Sequence, residues 1–144
     1  MVVAGALAAP ALGQADRTPP RVLTEALRTC ILTHTCFRYV ESNEDADLVA
    51  TGRAILLGSG RSFPFKPIHR RVRAQEEYEL SFALRRRAIR ILRRALRDGR
   101  RVRAKEKVVV TDAAGNSRVL RGSVPIILAY ATPEAPLRRA AADD

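Results

Sequence analysis

The sequence predicts an all-β fold, an antiparallel β-sandwich with one short arginine-rich amphipathic helix between strands. Three observations carry that prediction. Tyr78, Leu80, Phe82 and Leu84 alternate with Glu77, Glu79, Ser81 and Ala83, and a period of two gives a strand one wet face and one core face. Other Val-, Ile- and Leu-rich runs end at turn residues, Gly58-Ser59-Gly60 and Asp112-Ala113-Ala114-Gly115-Asn116. A single stretch, Leu84 to Arg97, has the three-and-four spacing of a helix. Repeated strand–helix alternation is absent, which argues against a doubly wound sheet; an α+β fold with the helix across one sheet is the alternative.

Met1 to Ala15 (MVVAGALAAPALGQA) is apolar and carries no charged side chain. Such a run is too short to span a bilayer but suits a secretory signal, with small residues at Ala11, Gly13 and Ala15 for a signal peptidase. No Lys or Arg precedes it, and a buried N-terminal strand or helix is the competing reading. Residues 16–24 begin with Asp-Arg-Thr-Pro-Pro and read as a linker, because paired prolines donate no N–H and favour an extended path. Residues 25–130 form the candidate domain. Residues 131–144, rich in Ala, Pro and charge, read as a disordered tail.

Within the domain, Leu48 to Leu57 reads as a strand ending at the Gly-Ser-Gly turn. Val102, Ala104, Val108 and Val110 share one face of a second strand, with Arg101, Arg103, Lys105 and Lys107 on the other. Glu106 breaks this pattern without a local reason. Leu120, Val124, Ile126 and Leu128 share a face of the last strand, and Pro125, which lacks a ladder donor, places that strand at an edge or a bulge. Asp112, Gly115 and Asn116 between these two strands form a hairpin turn, since Gly and Asn accept positive φ and Asp closes an Asx turn. Asp112 and Asn116 also offer oxygens, but two candidate residues fall short of the about 6–8 ligands that calcium takes.

In the helical stretch, Ala88, Ile91, Leu92, Ala95 and Leu96 form the apolar stripe and Gly99 stands where the helix ends. Arg86, Arg90, Arg93, Arg94 and Arg97 occupy the opposite face. Like charges four apart each cost about 0.2–0.5 kcal/mol, whereas burying a leucine gains about 1.5–3 kcal/mol, so core contact prevails.

The chain has 144 residues, enough for one domain, with 26 Lys and Arg against 15 Asp and Glu, a net charge of +11. That balance excludes an acidic solvating protein and keeps contact with a polyanion open. Lysine occurs only at positions 66, 105 and 107, and the arginine excess suits bidentate phosphate or carboxylate recognition. The same bias also follows from a GC-rich genome. Arg86, Arg90, Arg93, Arg94 and Arg97, with Arg101 and Arg103, are the candidate polyanion-binding residues; a solvated face with snorkelling stems is the plainer reading.

Cys30 and Cys36 bracket Ile-Leu-Thr-His-Thr. An extended chain would separate them by about 20 Å, whereas bridged Cα atoms lie within about 6.8 Å. A disulfide therefore requires a turn in that segment, and two separate thiols are the alternative. Cys30, His34, Cys36 and His69 match no zinc spacing, so no metal site is assigned. Gly58 to Arg61 lacks the Gly-Lys-Ser/Thr ending of a phosphate loop. No serine stands in a nucleophile elbow, and Glu76, Glu77 and Glu79 read as the rim of a strand. No catalytic residue and no cofactor is expected.

The Asp-Arg-Thr-Pro-Pro lead, the stretch ESNEDADLVATGRAIL, the segment AIRILRRALRDGRRVRAKEKVVV and then TDAAGNSRVL together resemble the immunoglobulin-like modules of bacterial exported and surface proteins. The likeness runs from Asp16 to about Leu128, and its most specific part is Ala88 to Asn116. It implies an Ig-like β-sandwich without catalytic residues, secreted or at the cell surface, acting as a spacer, structural or adhesive module. Anionic cell-envelope polymers or another surface protein are the partners this reading allows. A small basic protein that binds nucleic acid or an anionic polymer is the alternative function.

Overall fold

A computed structural model describes residues 15–26, 28–32 and 36–128. The segment read as an export signal, apart from Ala15, lies outside the described residues, as do His34 and the tail 131–144. The elements run β1 (Val22–Ala26), β2 (Cys30–Ile31), β3 (Cys36–Ser42), β4 (Ala46–Leu56), β5 (Arg61–Pro64), β6 (Ile68–Val72), β7 (Glu77–Phe82), α1 (Arg86–Arg97), β8 (Val102–Asp112) and β9 (Ser117–Ile127). The all-β expectation with one short helix agrees with this order.

The strands form two sheets. One has three strands in the order β1-β3-β7, antiparallel throughout. The other runs β2-β9-β8-β4-β5, and β6 also pairs with β4. β4 is long enough for two partners on one side: β6 pairs with its first half, Ala46 to Ala50, and β5 with its second, Arg53 to Leu56. Leu57 to Gly60 turn the chain between β4 and β5, with Gly58 and Gly60 at positive φ.

Two expectations need correction. The second sheet is mixed, because β2 pairs with β9 in parallel, Cys30 opposite Ile126 and Ile31 opposite Ile127. A two-residue strand has too few positions for a periodic pattern to reveal its pairing direction. The stretch 16–24 is also not linker to its end. Val22 pairs with Ser42 to open β1, and Pro20 is fully buried just before it, where a missing N–H breaks no ladder.

Alternation decides what each strand buries. β4 turns Ala46, Leu48, Ala50, Ala54 and Leu56 inward, and β8 turns Val102, Ala104, Glu106, Val108, Val110 and Asp112 inward. From the smaller sheet come Val40, Leu80 and Phe82. These apolar residues of both sheets enter one buried cluster. The other faces of the two sheets therefore point away from a common core. β9 lies between β2 and β8, but among the described residues β2 reaches only Ile126 and Ile127, so the side of β9 away from β8 has no partner before them.

The helix joins the end of β7 to the start of β8 and adds Leu92 and Ala95 to the same cluster. Its start is weak: Arg85 makes no side-chain cap, and the first turn holds no acid. Its end is well built. Gly99 takes positive φ, Arg100 N donates to Ala95 O at 3.0 Å and Gly99 N to Leu96 O at 3.1 Å, a Schellman closure. Arg94 and Arg97 in the last turn complement the helix dipole.

Candidate anion-binding surface

The inward-facing Glu106 belongs to a polar contact between the sheets. Arg38 of β3 donates through Nε to Glu106 Oε1 at 2.7 Å and through Nη1 to Thr24 Oγ1 at 3.0 Å. Both charged side chains are 6 % exposed. Glu106 stands between Gly52 on β4 and Gly122 on β9 in the strand register. A Cβ on Gly122 would meet Arg38 Nη2 and Glu106 Oε1, so the glycine leaves the pair its room. Among the described residues, no buried side-chain N or O lacks a hydrogen-bond partner.

With Glu106 turned inward, its neighbours Lys105 and Lys107 face out. Register places Arg53 beside Lys105, and Thr51, Lys107 and Arg121 in the next row. Arg53, Lys105, Lys107 and Arg121 line a cleft of about 500 Å³ together with Pro64, Phe65 and Pro67. Glu106, the one acidic residue of that lining, has its carboxylate committed to Arg38. Arg103 lies one row further, held to β9 by donating to Ser123 Oγ and Ser123 O at 3.1 Å each.

The helix supplies a second cationic face. At about 100° per residue, Arg86, Arg87, Arg90, Arg93, Arg94 and Arg97 fall within an arc of about 120° opposite the buried Ala88, Leu92 and Ala95. A further cleft of about 310 Å³ between β5 and α1 is lined by Arg61, Arg85 and Arg87 over Phe63, Pro64, Ala88 and Ile91. The Arg61 guanidinium lies 5.4 Å from the centre of the Phe63 ring, within cation–π range. Among the described residues there are two ion pairs, Arg38–Glu106 and an exposed Arg71–Asp47 contact at 3.8 Å. The arginines of the helix thus have no carboxylate within 4.0 Å among the described residues.

The residues expected from the sequence therefore divide. Arg86, Arg90, Arg93, Arg94 and Arg97 share the helix face, while Arg103 belongs to the sheet face. Arg53 and Arg121 of the larger cleft were missed, because they join Lys105 and Lys107 only through strand register. The cationic side of β8 was the part of this signal open to sequence reading.

The remaining sites follow their local chemistry. Cys30 and Cys36 are joined in a disulfide, with Cα atoms 5.0 Å apart, so neither offers a thiolate to a metal. His69 lies exposed on β6 of the larger sheet, whereas Glu77 and Glu79 lie on the outer face of the smaller one. In the β8–β9 turn, Asp112 Oδ1 accepts from Asn116 N at 2.8 Å and Oδ2 from Asn116 Nδ2 at 2.9 Å, and Gly115 has φ of 89°. The Asn116 side-chain amide holds the Asp112 carboxyl below its ordinary pKa, helped by backbone N–H groups of the turn and opposed by burial. Asp16 and Glu44 each bring a carboxylate oxygen within 4.8 Å of Asp112. Among the described residues no helix is long and apolar enough to cross a membrane.

No protein-family model, curated protein or solved structure matches this chain.

Proposed function

We propose that this chain is a non-catalytic, extracytoplasmic module of the Ig-like β-sandwich kind that binds an anionic polymer of the cell envelope. The observation that carries the reading is the cleft in which Arg53, Lys105, Lys107 and Arg121 converge while Glu106 faces Arg38. Four cations from three strands suit a chain of repeating phosphate or sulfate groups, which gains affinity by releasing its counterions. The Cys30–Cys36 disulfide supports an oxidising compartment, where such bonds persist. A nucleic acid is the less favoured polyanion. β4, β8 and β9 carry no aromatic side chain, and Phe65 of the cleft is 5 % exposed, so bases would find no open stacking platform beside these cations.

The test is the salt dependence of binding to long-chain polyphosphate and to single-stranded DNA, read by fluorescence anisotropy. Polyphosphate affinity falls as salt rises, and a variant combining Arg53→Gln, Lys105→Gln, Lys107→Gln and Arg121→Gln flattens the logarithmic slope by about 3. Affinity indifferent to salt, or unchanged in that variant, contradicts the reading. Tighter binding to DNA than to polyphosphate would move the assignment to nucleic acid.

A further inference from the structure

The two outer sheet faces carry opposite charge. On the smaller sheet, register aligns Leu23, Glu41 and Glu77 in one row and Glu25, Tyr39 and Glu79 in the next. No lysine or arginine stands at an outward position of β1, β3 or β7. The rows Thr51–Lys107–Arg121 and Arg53–Lys105–Ser123 on the larger sheet have the same layout, two rows across three strands. Four carboxylates thus face one way and four cations the other, each set on a pleated lattice of about 4.8 Å between strands. Of the three exposed large apolar side chains among the described residues, Leu57 lies in the β4–β5 turn and the other two on these faces. Leu23 is 70 % exposed on the acidic one, and Val119 is 45 % exposed on the basic one, in a row with Val49 and Val109. The acidic face also holds a depression of about 260 Å³ between Leu23, Glu25, Tyr39, Glu41 and Glu77. The Tyr39 hydroxyl donates to Glu79 at 3.1 Å, and that contact together with the surrounding glutamates raises its pKa.

We propose that the acidic face of the β1-β3-β7 sheet docks on the basic β4-β8-β9 face of a second copy of this chain. A docked pair then keeps one acidic face free on one copy and one basic face free on the other, so the contact is head-to-tail and grows without closing. The occupant is a second copy because the complementary charges are both present on this one chain, together with an exposed Leu23 on one face and the Val49–Val109–Val119 row on the other. This goes beyond polymer binding and competes with it for Lys105 and Lys107, whereas the helix arginines stay outside the contact.

Sedimentation velocity of the full chain over a concentration series tests the proposal. It is run at about 0.15 M salt, where a Debye length of about 8 Å screens the long-range repulsion of the net positive charge. The expected result is a sedimentation coefficient that rises with concentration without levelling at a dimer, and an association at least about tenfold weaker at about 1 M salt. An acidic-face variant (Glu25→Lys, Glu41→Lys, Glu77→Lys) and a basic-face variant (Arg53→Glu, Lys105→Glu, Lys107→Glu) each lose at least about tenfold in self-association, and mixing the two restores it. A helix variant (Arg90→Glu, Arg94→Glu, Arg97→Glu), with the same change in net charge as the basic-face one, associates as the natural chain does. If a reversal variant fails a circular dichroism check of folding, Glu41→Gln and Lys107→Gln replace it and weaken association in the same direction. A monomer throughout, a size that stops at a dimer, association indifferent to salt, or a helix variant as impaired as the basic-face one overturns the proposal. Polyphosphate binding by the acidic-face variant is not reduced, so failure of self-association and failure of polymer binding are read separately.

Discussion

Arg38 and Glu106 meet between the two sheets, 68 residues apart in sequence, with Arg38 Nε 2.7 Å from Glu106 Oε1. The pair accounts for the acidic residue that interrupts the alternation of β8. Removing one partner leaves the other charge buried and uncompensated. Glu106→Ala is therefore expected to destabilise the fold by about 3–5 kcal/mol, measured by urea unfolding. Replacing both, as Arg38→Met with Glu106→Leu, recovers much of that loss, because an apolar pair needs no desolvation of charge.

Gly122 leaves space for the same pair. A methyl group there would meet Arg38 Nη2 and Glu106 Oε1 and lie 3.0 Å from Glu106 Cγ. Gly122→Ala is expected to cost about 1–3 kcal/mol in the same unfolding measurement. In the Arg38→Met, Glu106→Leu background its cost changes measurably, as expected of residues that share one contact.

The Cys30–Cys36 bond closes a short loop beside the parallel β2–β9 pairing. By the chain-entropy relation, a loop of this length contributes about 2 kcal/mol, which corresponds to a fall of roughly 10 °C in Tm on reduction. Calorimetry with and without dithiothreitol measures it. Hydrogen exchange of the Leu32 amide, which donates to Ile127 O at 2.8 Å, is expected to speed up on reduction.

Asp112 gives the fold a pH dependence of known sign. Its pKa is lowered in the folded chain, first by the Asn116 side chain. The stabilisation is complete above the ordinary aspartate range and is lost as pH falls through the lowered folded value. Asn116→Ala is expected to raise the Asp112 pKa, read by NMR titration of its carboxyl carbon, and to reduce the extra stability at neutral pH.

The strands that follow a simple alternation were legible in the sequence: β7 from Tyr78, Leu80 and Phe82, and the valine face of β8. The helix was legible too, with Gly99 as its stop. β3 was not, because its inward positions are Cys36, Arg38, Val40 and Ser42 while Phe37 and Tyr39 point outward. Polarity is inverted on that strand because its core face holds the partner of Glu106. β5 and β6 escaped notice for another reason: their burial patterns are largely exposed, and β4 supplies most of their pairing. The candidate site was half legible. The cations of β8 could be read from their alternation, but Arg53 and Arg121 required knowing which strands lie beside it.

The central claim is that an anionic polymer binds the outer face of the larger sheet. Backbone amide chemical shifts, recorded while polyphosphate is titrated into the full chain, test it most directly. At chain concentrations low enough for the monomer, the largest saturable changes are expected at Arg53, Lys105, Lys107 and Arg121, with smaller ones along the α1 arginines and none on β1, β3 and β7. Shifts confined to the helix, or spread evenly over all basic residues, would contradict it.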